Sequence, residues 1–227
     1  MRRRLLLFDI DGTLLHSKGV GRESKALAME EVFGTSAGVR THPFGGKTDW
    51  QILRETLEPH GITGIQIGQK MPTFEHAFAE QMKRIIGNFD VEALPGAKDL
   101  LTYLAQREDI VLGIVTGNTS KTAPIKLKAA GYDPAMFPVG AYGSEADDRN
   151  ELPKLALERA IRHIRHDILP EDVIVIGDTV KDILAARAIG GVAVVVLTGF
   201  EEADKLAEHK PDYTLKDLTT FRTTVPL

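Results

Sequence analysis

Four aspartates stand out by type and spacing. Asp9 and Asp11 follow the apolar run Leu5-Leu6-Leu7-Phe8, and Asp178 and Asp182 follow Val173-Ile174-Val175-Ile176. Two carboxylates held close can divide the labour of group transfer: one attacks, the other carries a proton to and from the leaving oxygen. Four carboxylates in one small volume repel one another unless a cation sits among them. The set offers only oxygen, with no thiolate or imidazole, which suits Mg2+. A third apolar run, Ile110-Val111-Leu112-Gly113-Ile114-Val115, ends in Thr116-Gly117-Asn118. A hydroxyl and the N–H groups of such a turn are donors for phosphate oxygens. A Lys or Arg would complete the charge balance around a transferred phosphoryl group. Taken singly, an Asp-Gly-Thr turn or an Asp after a strand is an ordinary turn or helix cap. Three strand ends that are acidic or hydroxylic together point to a site.

These residues need elements that bring them to one edge. The apolar runs, with Val192-Ala193-Val194-Val195-Val196-Leu197, are short, continuous and β-branched. That is the pattern of strands buried on both faces. Helical periodicity separates them over 97–106, 120–130, 155–164 and 183–189. The alternation predicts an α/β fold: a Rossmann-like parallel sheet with helices on both faces, whose ligands bind beyond the carboxyl ends of the strands. Residues 15 to about 90 break the rhythm, with amphipathic helices expected over 24–33, 49–57 and 72–86. The expected organisation is a core of 1–14 and 91–227 carrying a small all-helical insert, 15–90, after the first strand.

Composition narrows the function classes. The chain has 227 residues, 43% hydrophobic and 26% charged, which is globular. Its 28 basic and 32 acidic residues leave a net charge of −4, so nucleic-acid and membrane-surface binding gain no support from charge. There is no cysteine, hence no disulfide or zinc–thiolate site. The basic start Arg2-Arg3-Arg4 leads into an apolar run that stops at Asp9, too short for a signal segment, and a cytoplasmic location is expected. Oligomeric state is not legible.

Phe8-Asp9-Ile10-Asp11-Gly12-Thr13-Leu14, Ile114-Val115-Thr116-Gly117-Asn118 and Ile176-Gly177-Asp178-Thr179-Val180-Lys181-Asp182 resemble, in order and spacing, three motifs of the haloacid dehalogenase-like hydrolase superfamily. The insert falls where one subclass of that family carries a helical cap. The resemblance implies a Mg2+-dependent phosphatase acting on a small phosphorylated metabolite. Asp9 would form an aspartyl-phosphate, and Asp11 would protonate the leaving group and then activate water. The metal would be held by Asp9, the main-chain carbonyl of Asp11, and Asp178, with Asp182 orienting its shell. Thr116, Gly117 and Asn118 would bind the phosphoryl group. A sugar phosphomutase on the same scaffold, or a phospho-accepting switch without turnover, are the rival readings.

The remaining family motif departs from pattern. The family places a basic residue, often as Lys-Pro, before the helix that precedes the last acidic strand. Here the segment reads Asp148-Arg149-Asn150-Glu151-Leu152-Pro153-Lys154, so Arg149 is favoured and Lys154 is the rival. Pro43-Phe44-Gly45-Gly46-Lys47-Thr48-Asp49 resembles the substrate-facing loop of phosphoglycolate phosphatase-like members. Lys47 and the helix start after it are expected to meet an anionic substrate tail, with Lys47 as a solvated surface charge the alternative. Met71, Phe74, Phe78 and Met82 read as core of the insert, and His163 with His166 as a solvated helix face.

Overall fold

The computed structural model describes residues 3–227. β1 (Arg4–Phe8) is flanked by β4 (Ile110–Thr116) and β6 (Val173–Gly177), with Leu6 opposite both Leu112 and Ile174. β5 (Val139–Tyr142) lies outside β4, and β7 (Val192–Val196) and β8 (Tyr213–Leu215) extend the other side. The six-stranded sheet is parallel throughout, in the order β5-β4-β1-β6-β7-β8. The chain winds outward from β1 to β5, then crosses back to β6. The switch point therefore lies at the carboxyl ends of β1, β4 and β6, where such sheets leave a crevice.

Alternation along each strand fills two apolar layers. Leu6, Phe8, Leu112 and Ile114 pack on α4 (Ala97–Leu104), α5 (Ala123–Ala129) and α9 (Phe221–Thr224). Leu5, Leu7, Val173 and Val175 pack on α6 (Leu152–Ile164), α7 (Val180–Ala188) and α8 (Ala203–Glu208). Two-sided burial is why these strands read as unbroken apolar runs.

A third apolar cluster belongs to α1 (Val20–Phe33), α2 (Asp49–Leu57) and α3 (Gly64–Ile85), with Met71, Phe74, Phe78 and Met82 inside it. The segment is not all-helical, however. Leu15–His16 (β2) pairs antiparallel with Glu92–Ala93 (β3), so the two connections to the sheet are tied together. α3 also starts eight residues before the expected Pro72. Thr63 and Gln66 form a capping box, and Ile67 and Met71 extend the buried face across the proline. Among the described residues, no helix is long and apolar enough to cross a membrane.

Candidate active site

β1 stops at Phe8, and the Asp9 N–H still donates to the Ile176 carbonyl at 2.9 Å. That bond aims Asp9 over the end of β6. The turn that follows requires Gly12, whose φ is +84°; a Cβ there would collide with the Asp178 carboxylate. Asp178 leaves β6 directly, and Thr13 donates to its Oδ1 at 3.2 Å. Asp182 sits in the first turn of α7, where its carboxylate accepts from the Thr179 N–H at 3.0 Å and the Thr179 hydroxyl at 2.7 Å.

Asp9, Asp178 and Asp182 form one buried group, each contributing a carboxylate oxygen within 4.8 Å of the others. Arg149, only 3% exposed, stands against it. Its Nη2 lies 3.1 Å from Asp9 Oδ2 and donates to Asp182 Oδ1 at 2.6 Å, while its buried Nε has no partner. One guanidinium does not balance three carboxylates. Burial raises the Asp9 carboxyl to about 6, with Arg149 opposing and Asp182 reinforcing the rise. Burial also pushes Asp178 well above the ordinary carboxylate range, helped by Asp9 and Asp182. An all-oxygen set with surplus negative charge, short of one cation, fits a hard divalent ion.

The carboxylate of Asp11 is not in that group. It turns to a second network in which Lys126 Nζ donates at 2.6 Å, Asn118 Nδ2 at 2.8 Å and Ser17 Oγ at 2.5 Å. Burial would raise this carboxyl, but Lys126 and these hydrogen bonds outweigh it and hold it below its ordinary value. Four carboxylates were expected to converge; three do, because the turn after Asp9 carries Asp11 to the β4 side. Asn118 also bridges to Thr116, donating to its buried hydroxyl at 2.8 Å.

Both networks open into one cavity of about 650 Å³. Asp9, Asp11, Thr116, Gly117, Asn118, Arg149 and Asp178 line it from the sheet, and Lys47, Phe44, Phe78 and Ile52 from the helical segment. Arg149 is the cation that reaches the carboxylates; Lys154 is exposed on α6 and is not in the lining. Lys47 lines the cavity, but Glu55 holds its amino group at 2.5 Å. The start of α2 does not offer free N–H groups to an anion. Asp49 N–H donates to Gly117 O at 2.8 Å, Trp50 N–H to Gly143 O at 2.9 Å, and Gln51 N–H to its cap, Thr48 Oγ1, at 3.0 Å. His163 and His166 are exposed, as expected.

Two site residues escaped the sequence reading. Lys126 shares a helix face with Ala123, Leu127 and Ala130, all buried. Lys25, 1% exposed, shares one with Ala28 and Met29 and pairs with Asp49. A lysine at a core position of an amphipathic helix is a signal in itself, since burial of an amino group demands a partner.

The haloacid dehalogenase-like hydrolase model matches residues 4–190. A phosphoglycolate phosphatase from Vibrio cholerae is 26% identical over 221 residues, covering 96% of this chain and 95% of the relative. One from Synechococcus elongatus is 30% identical over 215 residues, covering 93% and 92%. The crystal structure of a hydrolase from Pseudomonas syringae superposes with a TM-score of 0.71 at 24% identity, covering 97% of both chains.

Proposed function

The chain belongs to the haloacid dehalogenase-like hydrolases, and we propose that it cleaves a small phosphomonoester through a phosphoaspartate on Asp9. The observation that carries this reading is the split of the first two aspartates: Asp9 sits beside Arg149, and Asp11 opens into the same cavity with its own proton network. A nucleophile and an acid–base group need that separation, because their environments must differ.

In the first step an Asp9 oxygen bonds to phosphorus and the bond to the ester oxygen breaks. Asp11, which Lys126 holds ionised in the free protein, takes up a proton as the anionic ester binds beside it and gives that proton to the leaving oxygen. In the second step Asp11 takes a proton from water as the water oxygen bonds to phosphorus. The bond to Asp9 breaks, inorganic phosphate leaves, and both aspartates return to their starting states. Arg149 and the donors of Thr116, Gly117 and Asn118 face the equatorial phosphoryl oxygens, where charge develops. Asp9 and Asp178, with the main-chain carbonyl of Asp11, would hold Mg2+, and Asp182 would orient that shell while anchoring Arg149. When bound, the ion offsets carboxylate charge and so favours ionised Asp9. We assign residues 15–90 as a cap over a core of 1–14 and 91–227, and the cap excludes water during transfer.

The test is phosphate release from p-nitrophenyl phosphate and from a panel of phosphorylated metabolites, with and without Mg2+. Asp9→Asn should lower turnover roughly a thousandfold or more. Undiminished turnover in that variant would refute the mechanism.

A further inference from the structure

The phosphatase reading leaves open what the leaving alcohol carries, and the charges around the cavity bear on it. Among the described residues, six basic side chains line the cavity: Arg22, Lys25, Lys47, Lys126, Arg149 and Lys205. Five stand against carboxylates. Lys25 pairs with Asp49, Lys47 with Glu55, Lys126 with Asp11, Arg149 with Asp9 and Asp182, and Lys205 with Glu201. Among the described residues, Arg22 has no carboxylate partner.

Arg22 is nevertheless held in place. Its Nη1 donates to the carbonyls of Val39, Arg40 and His42 at 3.0, 3.1 and 2.6 Å. Its guanidinium carbon lies 4.1 Å from the centre of the Phe44 ring, and Phe44 itself lines the cavity. Carbonyls and a ring face fix orientation but leave the net charge in place. Nε and Nη2 have no partner within the described chain, and neither is sealed from solvent. A guanidinium clamped at one corner, with its other donors free, is pre-organised for a two-pronged bond to an anion.

We infer that Arg22 binds a second anionic group on the substrate, a carboxylate or a further phosphate carried by the leaving alcohol. This assignment rests on the phosphatase reading and deepens it: the sheet side takes the phosphoryl group, and the first helix of the cap selects the alcohol.

The experiment compares three esters: 2-phosphoglycolate, a short diol bisphosphate, and ethyl phosphate, which has no second anion. Wild-type protein should prefer one of the two doubly anionic esters over ethyl phosphate in kcat/KM, and the better of the two identifies the anion. In Arg22→Met that preference ratio should fall roughly ten- to a hundredfold, mainly through KM, as expected for losing bonds to a charged group. Arg22→Lys should recover part of it. A ratio that stays put in Arg22→Met, with all three esters losing equally, would mean that Arg22 only clamps the loop and overturns the assignment. So would a wild-type preference for ethyl phosphate. Failure on all three esters with release retained from p-nitrophenyl phosphate overturns the assignment alone; failure on p-nitrophenyl phosphate and the metabolite panel as well removes the phosphatase reading with it.

Discussion

A carboxylate that attacks phosphorus must be ionised, and burial works against Asp9. Its carboxyl is raised from 3.8 to about 6, first by burial, against the opposing pull of Arg149. In metal-free protein the folded state therefore keeps a proton that the unfolded chain has already released. Fewer protons in the unfolded state mean that stability falls as pH rises, here between 3.8 and about 6. Asp178, also raised by burial, adds to that fall. In chelator, the thermal midpoint should decline across this window less steeply in Asp9→Asn than in wild type. Added Mg2+ should raise the midpoint more at about pH 7.5 than at about pH 5, because protons and the ion compete for the same oxygens. A Mg2+ response independent of pH would remove the carboxylate group as its site. The aspartates were legible in the sequence because apolar strands end on them. Lys126 was not, because its role depends on a helix face that periodicity places and on Asp11 turning toward it.

At the scale of elements, α2 is anchored by the side chain of its first residue. Asp49 pairs with buried Lys25 on α1 through Oδ1, and accepts from the Thr119 N–H on the loop after β4 at 2.9 Å through Oδ2. Burial already holds the Lys25 amino group below its ordinary value, with Asp49 restoring part of the loss. Asp49→Ala leaves that amino group buried and alone, a change of the class that costs about 3–5 kcal/mol. The expected result is a large drop in denaturation midpoint, partly recovered when Lys25→Met is added, since removing both charges removes the mismatch. No recovery in the double variant would show that the Thr119 bond, not the ion pair, carries the effect. Such a pair joins residues 24 apart on different helices, which no periodicity displays. The central strands β1, β4 and β6 were legible because they are buried on both faces. β5 was not, since Val139-Gly140-Ala141-Tyr142 is short and carries a glycine, and β8 is a three-residue edge strand. The reach of α3 was hidden by Pro72, which is usually read as a helix start.

Seen as a whole, the molecule encloses its site by laying one end of the helical segment on the sheet edge. Besides the Asp49 and Trp50 amides, Thr48 Oγ1 donates to Asp147 O at 2.9 Å, and Ser144 Oγ donates to Glu75 at 2.6 Å. Lys47 and Gly117 also meet main chain to main chain. A Cβ at Gly117 would collide with the Lys47 carbonyl oxygen. Lys47 leads directly into α2, so its carbonyl moves only with the helical segment. Gly117→Ala should therefore prop the segment away from the sheet while leaving the sheet's two apolar layers untouched. The amides of Asp49 and Trp50, whose acceptors lie on the sheet side, should then exchange with solvent faster, while those of β1 and β6 stay protected. If closure is needed to exclude water and bring Arg22 over the bound ester, kcat/KM should fall roughly tenfold or more. Faster exchange with full activity would mean that phosphoryl transfer proceeds without the helices in contact. An unchanged exchange pattern would mean that the loop at Gly117 yields instead of the segment.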